Sequence, residues 1–154
     1  MNTPANSRTQ FLLLLILVVG LLCSCGSPTP IAPSASDTSP GPADKVEIVY
    51  FHRTQRCSSC VYAQEWAFYT METYFKDELA SGKLTFEVVD VEDKENTAMV
   101  KKYGAFTISL FINTIRDGTD HIEEVTETWL LVGDDEAFVE AVRSQIEKSL
   151  SGIS

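Results

Sequence analysis

The chain has 154 residues, and its 12 Lys and Arg against 22 Asp and Glu give a formal net charge of −10 at pH 7. This length allows one modest domain rather than two. An acidic chain without a basic run is a poor candidate for a nucleic-acid-binding protein, because phosphates are bound by clustered Lys and Arg. We expect the excess of Asp and Glu to form a solvated surface.

The first segment has the layout of an export signal. Arg8 precedes an apolar run at 11–22, and the first acidic residue is Asp37. The twelve residues of this run are fewer than the ~20 that a membrane-spanning helix needs. A positive start, a short apolar run and small residues after it are typical of a secretory signal peptide.

The end of the apolar run resembles the lipobox of bacterial lipoproteins. Leu22 stands three residues before Cys25 and Ser24 directly before it, whereas Cys23 follows the bulky Leu22 and fits the pattern less well. The resemblance implies a signal peptide at 1–24 and lipid on Cys25. More than one acyl chain gives stable membrane attachment, which implies an extracytoplasmic lipoprotein anchored in the cell envelope. The alternative is an uncleaved anchor helix or a soluble secreted product.

Five of the six prolines lie between Pro28 and Pro42, and none follows Lys45. This Pro-rich stretch has few apolar groups, so it cannot bury enough surface to fold. Pro-rich linkers act as semi-extended spacers. We therefore expect residues 25–44 to be a lipidated cysteine with its tether, which holds a domain at 45–154 away from the membrane.

The domain alternates between strand and helix patterns. Strands are indicated by β-branched and aromatic runs, and helices by apolar residues at helical spacing. The predicted elements in chain order are a strand at 46–51, a helix at 61–79, a strand at 84–90, a helix at 93–103, strands at 108–112 and 125–132, and a last helix that Asp134 caps and that buries Phe138, Val142, Ile146 and Leu150. Asp117-Gly118 is a turn signal between runs that could pair as a hairpin.

This order predicts an α/β fold. The first alternation gives a parallel βαβ unit with a right-handed crossover, and the late hairpin adds antiparallel strands to make a mixed sheet. Cys57 and Cys60 stand where the first strand ends and the first helix begins. With this pair in this register, and with Lys102-Tyr103-Gly104 before the third strand, the domain resembles the thioredoxin superfamily. The resemblance covers nearly all of 45–154 and implies a mixed four-stranded sheet flanked by helices.

A dithiol carrier needs one thiol that attacks and a second that resolves the mixed disulfide. Cys57 is expected at a helix N-terminus, where unpaired N–H groups and the helix dipole favour the thiolate. Arg53 and Arg56 add positive charge nearby. We assign Cys57 as nucleophile and the more buried Cys60 as resolving thiol, without a cofactor. The expected partners are envelope proteins with thiols or disulfides, including a membrane thiol-transfer permease.

Three positions depart from the superfamily's familiar pattern. Ser58-Ser59 separates the cysteines, Phe51 stands where many thioredoxins bury an acid, and Ser109 stands where a cis-proline usually begins the third strand. A cis bond before a residue other than proline costs about 2.5–4 kcal/mol, so we expect a trans bond before Ser109. Its hydroxyl could then approach Cys57. His52 is either a proton acceptor or a solvated loop residue.

A narrower resemblance rests on Arg-Cys-x-x-Cys after an aromatic-His strand end, with Tyr-Gly and then Ser-Leu further on. It is to a thioredoxin-like lipoprotein family described as a small subunit linked to nitroaromatic reduction or aromatic-arsenical resistance. We carry over only the redox part of that description.

Two other uses of the cysteine pair are open. A lone Cys-x-x-Cys closes a tiny loop and gains little loop entropy, which disfavours a purely structural disulfide. A soft-metal or metalloid site is the alternative function, with four candidate ligands: Cys57, Cys60, His52 and His121. The aromatic residues of the first helix are expected mostly in the core, although Tyr62 and Trp66 could line a docking face beside the dithiol.

Overall fold

A computed structural model of the chain describes residues 41–152. The predicted signal peptide at 1–24, the lipidated Cys25 and all but the last four residues of the predicted tether lie outside the described residues. Within 41–152, no helix is long and apolar enough to cross a membrane.

The described part of the chain alternates strands and helices, as the sequence pattern predicts. The elements in chain order are β1 (Lys45–His52), α1 (Ser58–Tyr74), α2 (Lys76–Ser81), β2 (Leu84–Asp90), a 3-10 helix (Lys94–Asn96), α3 (Thr97–Tyr103), β3 (Ser109–Arg116), β4 (Thr119–Glu124), a second 3-10 helix (Glu127–Leu131) and α4 (Asp135–Ser151).

The strands form one mixed sheet in the order β2-β1-β3-β4. β1 is parallel to β2 and antiparallel to β3, and β3 is antiparallel to β4. This arrangement joins a βαβ unit to an antiparallel hairpin. The predicted α/β fold, with a mixed four-stranded sheet flanked by helices, is confirmed.

The central strand β1 is buried on both faces. Ile48 and Tyr50 belong to a core cluster that includes residues of α1 and α4, such as Ala67 and Phe138. Val49 and Phe51 point the other way, into a cluster with residues of α3 and β3, as the period of two in a strand requires. Apolar packing on both sides fixes the end of β1, from which the loop to Cys57 departs.

The predicted helix at 61–79 is two helices. α1 begins at Ser58, so Ser58-Ser59 lies inside it, and it ends at Phe75, whose backbone leaves the helical region at φ −129° and ψ 36°. The Phe75 side chain is buried in the core. α2 follows and stops at Gly82, which adopts the left-handed φ of 75° that glycine tolerates best.

The predicted helix at 93–103 is also two elements, a 3-10 helix followed by α3. Asp93 caps the 3-10 helix, since its side chain accepts from the Glu95 N–H at 2.9 Å. Ala98 is exposed, whereas Tyr103 is buried.

The predicted fourth strand at 125–132 is wrong. β4 instead begins directly after Asp117-Gly118, whose two positive φ values of 50° and 71° suit a two-residue hairpin turn. That turn pairs Arg116 with Thr119 and fixes the register. Trp129, Leu130 and Leu131 fall in the second 3-10 helix, and Val125 and Val132 lie just outside it. The Thr128 hydroxyl supports this helix by donating to the Val125 carbonyl at 2.9 Å.

Candidate active site

The two cysteines of the motif form a disulfide at the N-terminus of α1. Their Cα atoms are 5.0 Å apart. Cys57 is the N-cap residue of the helix and is exposed, whereas Cys60 lies one turn inside and is 1% exposed. The accessible sulfur therefore belongs to the first cysteine.

The sulfur of Cys57 takes the place of a helix-capping oxygen. The Cys60 N–H donates to Cys57 Sγ at 3.1 Å, and the Cys57 N–H donates to Cys60 Sγ at 3.2 Å. Ser, Thr or Asp usually fills this role. The first turn of α1 contains no acidic residue. The positive end of the helix is therefore available to stabilise a Cys57 thiolate once the disulfide is reduced.

Tyr50 supports the disulfide from beneath. Its side chain is fully buried, and its hydroxyl donates to the Cys60 carbonyl at 2.7 Å. Burial raises the pKa of Tyr50 to about 12, although the neighbouring Arg56 opposes the shift. The phenol therefore stays protonated and remains a donor at neutral pH. This hydrogen bond ties α1 to β1, and the sequence pattern does not predict it.

The two arginines that were expected to add positive charge have different environments. Arg53 forms an ion pair with Glu92, with Nη2 at 2.7 Å from Oε1. Arg56 forms no ion pair among the described residues; its Nη2 donates to Gln64 Oε1 at 2.6 Å. The guanidinium carbon lies 6.0 Å from the centre of the Tyr50 ring. Of the two arginines, Arg56 is therefore the one without an ion-pair partner among the described residues.

Carboxylates at the end of β2 hold the loop between β1 and α1. The Thr54 N–H donates to Glu92 Oε2 at 3.0 Å, and its hydroxyl donates to Asp90 Oδ2 at 2.8 Å. The hydrogen bond from the Glu92 N–H, followed by that from Thr54, lowers the pKa of Asp90. The hydrogen bond from Arg53 is the largest influence that lowers the pKa of Glu92. Both groups are therefore charged acceptors at neutral pH.

Of the three departures from the superfamily pattern, Ser58-Ser59 lies in α1, and Phe51 and Ser109 lie at the end of the sheet from which the loop to Cys57 departs. Phe51 is fully buried and its ring packs against Tyr103 and Phe111, with centroids 5.5 and 5.6 Å away. Ser109 pairs with Phe51 in the sheet. Its preceding peptide is trans, as predicted, since no cis bond occurs in 41–152. Its hydroxyl donates to the Thr107 carbonyl at 3.0 Å rather than approaching Cys57.

The four ligands suggested for a metal site do not come together. His52 ends β1, and its Nδ1 lies 2.9 Å from the Arg53 carbonyl oxygen. His121 pairs with Thr114, which pairs with Val46 at the other end of β1. His52 is six residues further along the strand than Val46, which corresponds to about 20 Å. Among the described residues, no group of three or more His, Cys, Asp or Glu side chains is placed to hold a metal ion.

The aromatic residues of the first helix are mostly not in the core, contrary to expectation. Phe75 is buried, but three others are about half exposed: Phe68 (47%), Tyr69 (49%) and Tyr74 (48%). Tyr62 and Trp66 are partly buried against the core. Their rings are in contact, with centroids 6.1 Å apart. The aromatic run therefore forms much of the outer surface of α1.

No family model matches the chain, and no curated protein matches its sequence. Among solved structures, it is similar to a thioredoxin from Thermus thermophilus, with 16% identity, a TM-score of 0.42, and coverage of 68% of this chain and 76% of that one. A second similar structure is described as that of a malarial protein, with 15% identity, a TM-score of 0.36, and coverage of 52% of this chain and 80% of that one.

Proposed function

We propose that the protein is a membrane-tethered, extracytoplasmic thiol–disulfide oxidoreductase. The observation that carries this proposal is the Cys57–Cys60 disulfide at a helix N-terminus, directly after the central strand of a thioredoxin-like sheet. Cys57 is exposed, Cys60 is buried one turn further on, and a short loop joins them to the buried strand β1. A redox role suits this arrangement, because thiolates attack disulfides only where they are exposed and stabilised.

The exchange proceeds in two steps that balance. The Cys57 thiolate attacks one sulfur of a partner disulfide, forms a mixed disulfide and releases the other partner sulfur as a thiolate. Cys60 then loses its proton and attacks Cys57. This re-forms the Cys57–Cys60 disulfide and releases the second partner thiolate. The partner gains two electrons and the cysteine pair loses two.

A purely structural role for the disulfide explains less. The bridge joins residues three apart within one cap and connects no separate elements. α1 is held to the sheet by its own buried side chains, including Ala63, Ala67 and Met71. A crosslink over so short a loop removes little entropy from the unfolded chain.

The membrane part of the proposal rests on the sequence. Leu22, Ser24 and Cys25 resemble a lipobox, and the Pro-rich segment up to 44 would act as a spacer. An anchored domain would meet envelope proteins with thiols or disulfides, or a membrane thiol-transfer permease. By analogy with other membrane-tethered thioredoxin-like proteins, we propose that it acts as a reductant.

Trapping the mixed disulfide tests this function. A Cys60→Ser chain lacks the resolving thiol, so it should accumulate covalent adducts with envelope proteins that dithiothreitol releases. The Cys57→Ser, Cys60→Ser chain is the matched control and should form none. Absence of adducts in the single variant, or equal adducts in both, would exclude the exchange mechanism.

A further inference from the structure

A wide groove lies between the second half of α1 and the first half of α4. It encloses about 770 Å³. We call it the aromatic groove, because Trp66, Tyr69 and Tyr74 line its α1 side. Tyr69 and Tyr74 expose about half of their surface. Large rings left accessible at this density mark a surface where another molecule binds.

The aromatic groove is connected to the redox end of α1 by a row of rings. Tyr62 lies two residues after Cys60, and its ring contacts Trp66 at 6.1 Å between centroids. Trp66 in turn contacts Tyr69 at 5.1 Å. These residues follow helical spacing along one face. A chain segment attached to a thiol at Cys57 would therefore have a continuous aromatic path into the groove.

The α4 side of the aromatic groove is acidic. Asp134, Asp135, Glu136 and Glu140 line it. Of these four, only Glu140 has an ion-pair partner within 41–152, Arg143 at 3.5 Å. Asp134 accepts from the Ala137 N–H, and Asp135 accepts from the Tyr62 hydroxyl. The groove thus combines exposed rings with carboxylates that lack a cationic partner.

The groove already binds one guanidinium of its own chain. Arg143 lies with its guanidinium carbon 5.2 Å from the centre of the Tyr74 ring, and it also pairs with Glu147 at 3.1 Å. Ring and carboxylate together are a favourable environment for a cation. Trp66 and Tyr69 line the same groove, and among the described residues no cation lies over their rings.

We propose that the aromatic groove binds a Lys- or Arg-bearing segment of the protein whose disulfide Cys57 attacks. This inference rests on the proposed redox function and adds a preference for partners with positive charge several residues away from the reactive disulfide, because Trp66 lies about 14 Å along the helix from Cys57. Charge complementarity of this kind accelerates encounter more than it strengthens binding, and salt weakens it. The predicted preference is therefore one of rate.

The test measures how fast Cys57 reacts with charged peptides. The probes are three nine-residue peptides whose single cysteine, at the amino terminus, is activated as a 2-thiopyridyl disulfide and whose last four residues are Arg, Glu or Ser, so that the charges can reach the groove. The protein is the full-length chain with Cys23→Ser, Cys25→Ser and Cys60→Ser, in detergent, so that Cys57 is its only thiol. Each attack forms one mixed disulfide and releases one pyridine-2-thione, whose absorbance gives the rate.

Two groove variants have matched controls. Glu136→Gln with Glu140→Gln removes two negative charges from the groove, and Glu87→Gln with Glu95→Gln removes the same charge from exposed positions elsewhere. Tyr69→Ser removes a ring from the groove. Phe68→Ser removes a neighbouring ring of equal exposure that lies outside it. Circular dichroism confirms that each variant is folded.

We expect the Arg peptide to react about tenfold faster than the Glu peptide at low salt. Both groove variants should lower this ratio at least threefold, and both controls should leave it unchanged. A ratio that changes equally in groove variants and controls would show that only overall charge acts, and it would overturn the inference. The Ser peptide separates the two proposals: if it fails to react at all, the redox function itself is wrong.

Discussion

At the scale of single residues, Tyr50 contacts the segment that carries the disulfide, whereas Phe51 packs into the other face of the sheet. They are consecutive in β1 and point to opposite faces. Tyr50 holds the Cys60 carbonyl through a hydrogen bond of 2.7 Å. Phe51 fills with an aromatic ring the position where many thioredoxins bury an acid. The Cys60 carbonyl therefore accepts from a neutral donor, and the Phe51 position supplies a buried ring rather than a buried carboxylate.

Replacing Tyr50 by Phe should destabilise the protein modestly at neutral pH. The change removes one buried hydrogen bond but keeps the ring, so we expect a loss of about 1 kcal/mol in the free energy of unfolding. Urea denaturation of the oxidised protein measures it. A loss near zero would mean that the contact with Cys60 does not stabilise the fold.

The same variant has an expected signature in alkali. Below about pH 10 the Tyr50 phenol is neutral in the folded and the unfolded chain, so stability does not depend on its ionisation. Between its ordinary pKa of 10 and the folded value of about 12, only the unfolded chain loses the proton, and stability falls as pH rises. Burial, and then Glu47, raises the pKa of Tyr103 as well, with the same sign. Tyr50→Phe should make this alkaline loss less steep; parallel curves would contradict the assignment.

Residue patterns predicted that Cys57 and Cys60 lie close enough to bond, but not the contacts that support them. The spacing of Cys57 and Cys60 after a strand was sufficient to predict the helix N-terminus and the proximity of the two sulfurs. The Tyr50 contact depends on which face of β1 is covered by α1, and the contact between Arg56 and Gln64 depends on how the loop turns. Both are long-range packing outcomes that composition and period do not encode.

At the scale of elements, α1 and α4 pack together on one face of the sheet, and their ends determine the site and the groove. α4 starts at a capped N-terminus, where Asp134 Oδ1 accepts from the Ala137 N–H at 3.1 Å. The next carboxylate, Asp135, accepts from Tyr62 on α1 at 2.9 Å. This hydrogen bond ties the start of α4 to α1.

Asp134→Ala should weaken α4 at this end. Loss of an N-cap typically costs about 1 kcal/mol, and for a domain of this size that lowers Tm by roughly 4–8 °C. Calorimetry of the variant measures the shift. Ser144→Ala, at an exposed position in the same helix, is the control and should leave Tm unchanged or slightly higher. An equal fall in both variants would exclude the capping explanation.

β4, which the sequence pattern does not predict, is held in the sheet by polar contacts. β4 has the exposed sequence Thr-Asp-His-Ile-Glu-Glu, without the apolar alternation that indicates a strand. It is tied to the sheet by Asn113, which is fully buried and donates to Asp120 at 2.6 Å and to Glu47 at 3.1 Å. The pKa of Glu47 is lowered overall, because burial raises it but the hydrogen bonds from Lys45 and Asn113 and the nearby lysine charges outweigh that effect. Glu47 therefore stays a charged acceptor.

Helix boundaries were predictable where capping residues define them, at Gly82, Gly104 and Asp134. The break at Phe75 was not, because its apolar side chain continues the helical period while its backbone leaves the helix. The predicted strand at 125–132 failed for a similar reason. Its apolar residues lie in and beside a 3-10 helix, and local composition does not distinguish such a helix from a strand.

At the scale of the whole molecule, the proposed membrane attachment rests on the lipobox-like segment that ends at Cys25. Replacing Cys25 by Ser removes the predicted lipid attachment site, so we expect the protein to move from the membrane fraction to the soluble fraction, or to persist as an uncleaved precursor of higher mass. Fractionation followed by mass measurement distinguishes these states. Cys23→Ser is the control and should stay membrane-bound at its normal mass; unchanged behaviour of the Cys25 variant would refute lipidation at this residue.

The most direct test of the redox function is a reaction of the reduced full-length chain, with Cys23→Ser and Cys25→Ser, with oxidised glutathione. We expect two molecules of reduced glutathione to be released for each Cys57–Cys60 disulfide formed. Adding Cys60→Ser should stop the reaction at a glutathione adduct on Cys57, with one molecule released. Adding Cys57→Ser should slow the reaction at least a hundredfold, because the remaining thiol is buried. Equal rates with and without Cys57, or no exchange by the intact pair, would contradict the assignment of Cys57 as the attacking thiol.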